Sequence, residues 1–111
     1  MGYDMPTVEG LEFRYALHVL PPGRLPFPRW RWELWHGERM LAAGWRVSER
    51  DAGRALCKHA AVFAHRLFGL RPPERAPVAE LRPGVSRRLA LGPITCRLVP
   101  RGLEPAVTAT G

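Results

Sequence analysis

Apolar and polar residues alternate strictly near the start of the chain. From Leu11 to Val19 the odd positions are apolar, whereas most even positions carry polar or charged side chains, namely Glu12, Arg14 and His18. A period of two is typical of a strand that buries one face and exposes the other. The pattern therefore predicts a first strand here, with its charged side chains facing water.

Two more strands follow a proline-rich loop. Pro21-Pro22-Gly23 ends the first strand, because proline has no N–H to donate to a strand ladder and glycine permits a turn. The next strand spans residues 29–35, and its even positions are apolar: Trp30, Trp32 and Leu34. Its odd positions form the other face: Arg29, Arg31, Glu33 and Trp35. A turn containing Gly37 leads to a third strand at residues 40–47, where Gly44 predicts a bulge or a close approach of the backbone.

The best-marked element is a helix from about Ser48 to Phe68. Ser48 is a natural N-cap, and Glu49 and Asp51 place negative charge beside the positive end of the helix dipole. At about 100° per residue one broad face is apolar, and we expect it to cover the sheet. Its members are Ala52, Leu56, Ala60, Phe63, Ala64 and Leu67, flanked by Cys57 and Phe68. Gly69 ends the helix in the position that closes a Schellman motif.

The remaining chain predicts a crossing segment and a hairpin. Residues 71–84 contain four prolines and are expected to be extended. Two short strands follow at residues 88–91 and 94–99, separated by Gly92-Pro93. Their apolar positions alternate: Leu89, Leu91, Ile94, Cys96 and Leu98. The order is therefore β-β-β-α-β-β, an α+β fold in which one long helix packs on one face of an antiparallel sheet.

The length of 111 residues fits one hydrophobic core. We expect residues 1–10 to be a flexible leader, residues 11–100 to form a single α+β domain, and residues 101–111 to be a flexible tail. The sequence has neither an apolar run long enough to span a membrane nor the charged and apolar regions of a signal peptide. These features predict a cytoplasmic protein without a membrane partner.

The chain is strongly basic, with a formal net charge of +7 and a pI near 11.0. All but one of its 17 cationic residues are arginine. An excess of guanidinium groups indicates an anionic partner, because arginine neutralises phosphates and releases their counterions. Enrichment in Arg, Ala, Gly and Pro also arises in a GC-rich genome. Such a bias selects arginine over lysine but does not produce the excess of cations over acids.

Two arginine-rich surfaces are predicted. On the helix, Arg50, Arg54 and Lys58 recur every four residues on the side away from the core, and His65 and Arg66 extend this stripe. On the sheet, the polar face carries Arg14, His18, Arg29, Arg31, Trp35 and Arg46. Arginine binds phosphates and base edges, and an exposed tryptophan stacks on a base. The alternative for each surface is an ordinary solvated face, and for Trp35 a position beneath the C-terminal hairpin.

Short motifs for catalysis or cofactor binding are absent from the sequence, which has no phosphate-binding loop, dinucleotide fingerprint, HExxH or GxSxG. Cys57 pairs poorly with His59 or His65, because these helix positions lie about 200° around the axis or two turns apart. The two cysteines and four histidines match no zinc spacing. We therefore expect no metal and no cofactor, interpret both cysteines as reduced packing residues, and favour a non-catalytic role.

The leading hypothesis is a nucleic-acid-binding accessory protein that holds duplex DNA mainly through phosphate contacts of the sheet and helix arginines. The alternative is a protein interaction module or a homo-oligomer, such as a homodimer. Its interface would combine arginine with the four tryptophans: Trp30, Trp32, Trp35 and Trp45. A small enzyme or ligand carrier, with a pocket between sheet and helix, is a third alternative.

The predicted order of three antiparallel strands followed by a helix, over residues 11–69, resembles that of the small arm-type DNA-binding domains of phage integrases. The resemblance implies a sheet face laid in the major groove. It concerns element order alone, and the last two strands depart from it. No functional residue is carried over from it.

Overall fold

Five strands and one helix make up the described part of the chain. The structure is a computed structural model, and it describes residues 8–74 and 80–102. The elements are β1 (Val8–Val19), β2 (Trp30–His36), β3 (Arg39–Arg46), α1 (Glu49–Leu67), β4 (Arg87–Leu91) and β5 (Ile94–Pro100). This order confirms the predicted α+β fold.

The strands form one mixed sheet in the order β3-β2-β1-β5-β4. Three neighbouring pairs are antiparallel, whereas β1 and β5 run parallel. The predicted antiparallel sheet therefore has one parallel junction. It arises because the chain crosses back after α1 and adds the β4–β5 hairpin to the free edge of β1. The hairpin widens the sheet, so it does not cover Trp35.

Strand β1 begins earlier than the alternation predicts. Its first residue is Val8, three residues before Leu11. The register against β5 shifts between these two residues, where Gly10 adopts a φ of 88° that favours glycine. The last part of the predicted leader therefore belongs to the sheet. The rest of the leader, residues 1–7, and most of the predicted tail, residues 103–111, lie outside the described residues.

The hydrophobic core lies between α1 and one face of the sheet. Apolar residues at alternating strand positions are buried there, as the sequence predicts: Phe13, Tyr15, Leu17, Trp32, Leu34, Leu89, Leu91, Ile94, Cys96 and Leu98. The helix contributes mainly small side chains: Ala52, Ala55, Leu56, Cys57, Ala60, Ala61 and Ala64. Large strand residues therefore fill the layer, and the alanines let the helix approach them closely.

Local signals fix both ends of α1. The hydroxyl of Ser48 accepts a hydrogen bond from the N–H of Asp51 at 3.1 Å, which confirms the predicted N-cap. At the other end Gly69 adopts a φ of 69°, and the N–H of Leu70 donates to the carbonyl of His65 at 2.8 Å. The left-handed glycine and this bond are those of the predicted Schellman motif.

Two expectations for the helix surface are wrong. Leu67 and Phe68 are 51% and 45% exposed, although the apolar period assigns them to the buried face. The period of the sequence predicts only the direction in which a side chain points. Burial also needs another element packed against that side chain, and the described residues leave the last turn of α1 largely uncovered. His65 does not extend the basic stripe, because it is 6% exposed and its Nδ1 lies 2.8 Å from the carbonyl oxygen of Ala61.

Gly44 allows β3 to lie against the indole of Trp32. The two residues are paired across β2 and β3, and a Cβ added at Gly44 would lie 3.0 Å from the indole Nε1. The predicted close approach is confirmed. The irregular register of this strand pair falls elsewhere, between Leu34 and Trp35.

The hydroxyl of Tyr15 fastens the segment that precedes β4. It donates to the carbonyl of Arg82 at 2.7 Å, contacts the carbonyl of Val85, and accepts from the N–H of Val85 at 3.1 Å. Burial raises the pKa of Tyr15, so the phenol keeps its proton at neutral pH. The buried side chain of Tyr15 thus holds the segment before β4 against the core.

Candidate functional site

One face of the sheet is turned away from α1, and we call it the open face. Its side chains are Met40, Ala43 and Trp45 on β3, Arg31, Glu33 and Trp35 on β2, Glu12, Arg14, Ala16 and His18 on β1, Thr95, Arg97 and Val99 on β5, and Arg88 and Ala90 on β4. Within residues 8–74 and 80–102, no helix or strand packs on this face. In this part of the chain its arginines are partly exposed on β1 and β2 and exposed on β5 and β4.

Four arginines cross the open face on a diagonal, and we call them the arginine band. They are Arg31 on β2, Arg14 on β1, Arg97 on β5 and Arg88 on β4. With strands about 4.8 Å apart and about 3.3 Å per residue, the register separates successive backbones by about 14, 8 and 5 Å. The band is therefore about 25 Å long.

Two glutamates orient the arginines of the band. The Nε of Arg14 lies 3.2 Å from Glu12 Oε2, and the Nε of Arg31 lies 3.0 Å from Glu33 Oε2. On the neighbouring strand, Arg97 Nη1 lies 4.0 Å from Glu12 Oε1. Because these pairs are partly exposed, each is worth at most about 1 kcal/mol. They set the direction of the guanidinium groups more than they stabilise the fold.

Glu33 accepts two hydrogen bonds. Its Oε1 accepts from Trp35 Nε1 and its Oε2 from Arg31 Nε, both at 3.0 Å. Burial alone would raise the pKa of Glu33, but these bonds and the charges of Arg31 and His18 outweigh it and lower the pKa. Glu33 is therefore ionised at neutral pH and holds both neighbours in place.

Arg88 and Arg97 lie directly opposite each other across β4 and β5. Both side chains are exposed. Like charges in a directly opposed cross-strand pair destabilise a sheet, and Glu12 offers only a 4.0 Å contact to one of them. The opposed pair therefore adds positive charge to the open face without stabilising the sheet.

The four tryptophans have different environments. Trp32 is 2% exposed in the core, and Trp30 packs against it. On the open face Trp35 is half-buried, and the guanidinium carbon of Arg101 lies 3.6 Å from its ring centroid. Trp45 is 46% exposed on the edge strand β3. Trp45 therefore offers the indole that is most available to a ligand.

A shallow concavity of about 780 Å³ lies beside the band. Its charged lining residues are Arg14, Arg101, Glu12, Glu33 and Glu38. Ala16 also lines the concavity, and its short methyl side chain leaves part of this space unfilled between longer neighbours. With two cations and three carboxylates the concavity does not favour a small anion. The positive charge of the face lies along the band.

The residues predicted for the sheet surface do not all reach the open face. Arg14, Arg31 and Trp35 lie on it, as expected. Arg46 lies on the other side, because it is paired with Trp30, which packs against the core.

Arg29 lies outside the band as well. A Cβ added at Gly23 would lie 3.2 Å from Arg29 Nη2. The guanidinium of Arg29 therefore packs over the loop between β1 and β2.

The helix stripe is a separate surface. Arg50, Arg54 and Lys58 are exposed on α1, as predicted, and α1 packs on the face of the sheet opposite the open face. A ligand that lies on one surface does not reach the other. The sheet and helix arginines therefore do not form one site.

Sequence reasoning missed part of the open face. Arg88 and Arg97 alternate with the buried residues of the hairpin, so the period that predicts its apolar face also indicates where they point. The sequence pattern predicts Trp45 as part of a protein interface but not of the basic surface. Arg101 follows β5, and nothing in its local sequence indicates that it reaches Trp35.

The two buried thiols are protonated at neutral pH. Burial raises the pKa of Cys57 to about 11 and that of Cys96 to about 12, and both are free cysteines. His59 Nδ1 lies 2.9 Å from the carbonyl oxygen of Ala55.

Among the described residues, no group of three or more His, Cys, Asp or Glu side chains is placed to hold a metal ion. The one helix in this part of the chain is not both long and apolar enough to cross a membrane.

Comparison with family models, curated proteins and solved structures gave no match to this chain. The similarity of element order to integrase arm domains gains no support from these comparisons.

Proposed function

We propose that the protein is a non-catalytic nucleic-acid-binding protein whose open face contacts the phosphate backbone through the arginine band. The observation that carries this proposal is the opposed pair of Arg88 and Arg97, in line with Arg14 and Arg31. A row of guanidinium groups is suited to a chain of phosphates, because each contact neutralises charge and releases a counterion.

The energetics of the opposed arginines favour an anionic ligand. Placing two like charges across β4 and β5 costs about 0.2–1 kcal/mol in the free protein. Proteins keep such local conflicts mainly where another role requires them. A phosphate between the two groups replaces their repulsion with two charge-assisted hydrogen bonds. Ligand binding therefore removes a cost that the fold alone does not explain.

The charge of the open face also favours a polyanion over a second copy of the chain. Four arginines against two glutamates leave a net charge of +2; they are Arg14, Arg31, Arg88 and Arg97 against Glu12 and Glu33. Two such faces would repel each other. Two of the four tryptophans that suggested a protein interface take part in the fold, since Trp32 lies in the core and Trp30 packs against it.

The test is fluorescence anisotropy with labelled random-sequence oligonucleotides, both single-stranded and duplex, over a range of salt concentrations. We expect the logarithm of the affinity to fall linearly with the logarithm of the salt concentration. The double variant Arg88→Ala/Arg97→Ala should weaken binding and lower this slope by about one to two units, because two phosphate contacts are lost. The same variant should resist urea at least as well as the wild type, because it removes a repulsion.

Arg87→Ala is the matched control for Arg88→Ala. Arg87 is the preceding residue, but it is paired with the core residue Leu98 and so lies on the α1 side of the sheet. Both variants remove one positive charge, whereas only Arg88→Ala changes the band. Equal losses of affinity in the two would refute the proposal. So would the absence of binding to any oligonucleotide near physiological ionic strength.

A further inference from the structure

We infer that the ligand of the open face is a single strand of DNA or RNA, which crosses the sheet along the arginine band with a base stacked on Trp45. This inference rests on the proposed function and adds the strand state of the nucleic acid. It replaces the duplex that the sequence favours.

The open face is too wide to enter a groove of duplex DNA. Its five strands span about 19 Å from β3 to β4, at about 4.8 Å per strand spacing. The major groove of B-DNA is about 12 Å wide and admits a helix or a two-stranded ribbon. A duplex therefore meets this face only through phosphates on its outer surface, without the sheet entering a groove. A single strand has no groove and can follow the whole band.

Trp45 supplies a surface that only an unpaired base can use. Its indole is 46% exposed, and Trp45 is directly opposite Arg31 across β2 and β3. Aromatic rings and guanidinium groups are the surfaces on which splayed bases stack. Bases in a duplex are stacked on each other and would have to be extruded first. Trp35 is less suited to this role, because Arg101 already covers its ring.

The size of the path matches a short single strand. From Trp45 to Arg88 the register gives about 28 Å. This corresponds to about eight nucleotides at a stacked rise of about 3.4 Å, and to fewer when the strand is extended. OB folds, which bind single strands on a sheet surface, cover about 4–16 nucleotides each. An oligonucleotide of about 12 nucleotides therefore covers the site.

The experiment compares three labelled probes of about 12 nucleotides or base pairs, at one salt concentration near the physiological value. The probes are oligodeoxyuridylate, oligouridylate and a mixed-sequence duplex, so the two single strands differ only in the sugar. We expect at least one single strand to bind at least about tenfold more tightly than the duplex, and to quench tryptophan fluorescence. The ratio of the two single strands identifies the preferred sugar. Equal or tighter binding of the duplex would overturn the inference.

Variants at Trp45 locate the stacked base. Trp45→Ala should weaken single-strand binding by roughly 5- to 150-fold, the usual effect of removing one stacking aromatic. Trp45→Phe keeps an aromatic ring and should retain most of the affinity. Met40→Ala is the matched control, because Met40 is 45% exposed on the same edge strand and has no π face. Equal effects of Trp45→Ala and Met40→Ala would overturn the stacking role.

The outcomes separate this inference from the proposed function. Preferential binding of the duplex that still depends on Arg88 and Arg97 would overturn the single-strand inference and leave the proposed function standing. No binding to any of the three probes would overturn both.

Discussion

The guanidinium carbon of Arg101 lies 3.6 Å from the centroid of the Trp35 indole. Arg101 follows β5, and its backbone N–H also donates to the carbonyl of Tyr15 on β1 at 2.7 Å. The side chain thus reaches past β1 to β2. This contact ties the chain after β5 to the strand two places away, and it makes Trp35 part of the scaffold of the open face.

Replacing Arg101 tests this tie. We expect Arg101→Ala to lower the free energy of unfolding by about 0.5–1 kcal/mol, the value of a cation–π contact at a partly exposed site. Urea unfolding followed by tryptophan fluorescence measures the change. Arg24→Ala, in the exposed loop between β1 and β2, is the control and should have little effect. If both variants unfold at the same urea concentration, the stack contributes nothing to stability.

Tyr15→Phe tests the fastening of the returning segment. The variant keeps the ring but removes the hydroxyl that bonds the backbone of Arg82 and Val85. We expect the free energy of unfolding to fall by about 1–3 kcal/mol, because partly buried backbone groups lose their partner. Arg82→Ala is the control, because its exposed side chain makes only a solvent-exposed ion pair with Glu80 at 3.6 Å, whereas Tyr15 bonds its backbone carbonyl. Similar midpoints in urea for the two variants would contradict this account.

Gly44→Ala tests the close packing of β3 on the core indole. The added Cβ would lie 3.0–3.1 Å from three atoms of the Trp32 ring, which is itself packed against the ring of His59 at a centroid distance of 4.7 Å. Because the indole is enclosed, we expect a loss of about 1–3 kcal/mol, seen as a lower thermal midpoint. Ala43→Ser is the control. It changes the residue just before Gly44, whose side chain lies on the open face, and should shift the thermal midpoint far less. An unchanged midpoint for Gly44→Ala would mean that the indole moves aside freely.

The sequence predicts the elements and most of the core because the necessary signals are local. Burial of one strand face imposes a period of two, which the apolar residues from Phe13 to Leu17 and from Leu89 to Leu98 follow. The ends of α1 depend on Ser48 and Gly69 and on their immediate neighbours. The strand period and the helix caps can therefore both be recognised in one sequence.

The make-up of the open face is less predictable because it depends on which strands become neighbours. Only the parallel pairing of β5 with β1 brings Arg97 and Arg88 into line with Arg14, and no local pattern specifies that pairing. The pattern also places Arg46 with these residues, whereas the register puts it on the other side. The alanines and the glycine before Arg46 have too little hydrophobic contrast to define the faces of β3.

Glu33 links the stability of the fold to pH. Although its burial favours the neutral form, the hydrogen bonds from Trp35 and Arg31 lower its pKa in the folded state. A carboxylate with a lowered folded pKa stabilises the protein above its ordinary pKa of 4.5, and this contribution is lost as the pH falls through the lowered value. Ionised Glu33 therefore supports the fold at pH 7 and ceases to do so in acid.

Glu33→Gln is expected to be less stable than the wild type at pH 7, and the difference should shrink below about pH 4, because a protonated glutamate resembles glutamine. Urea unfolding at neutral and acid pH measures this difference, with Glu38→Gln in the exposed turn after β2 as the control. At neutral pH the same substitution raises the charge of the open face by one, so Glu33→Gln should bind oligonucleotides more tightly while being less stable. A stability difference that stays constant from neutral to acid pH would show that Glu33 does not act through its charge.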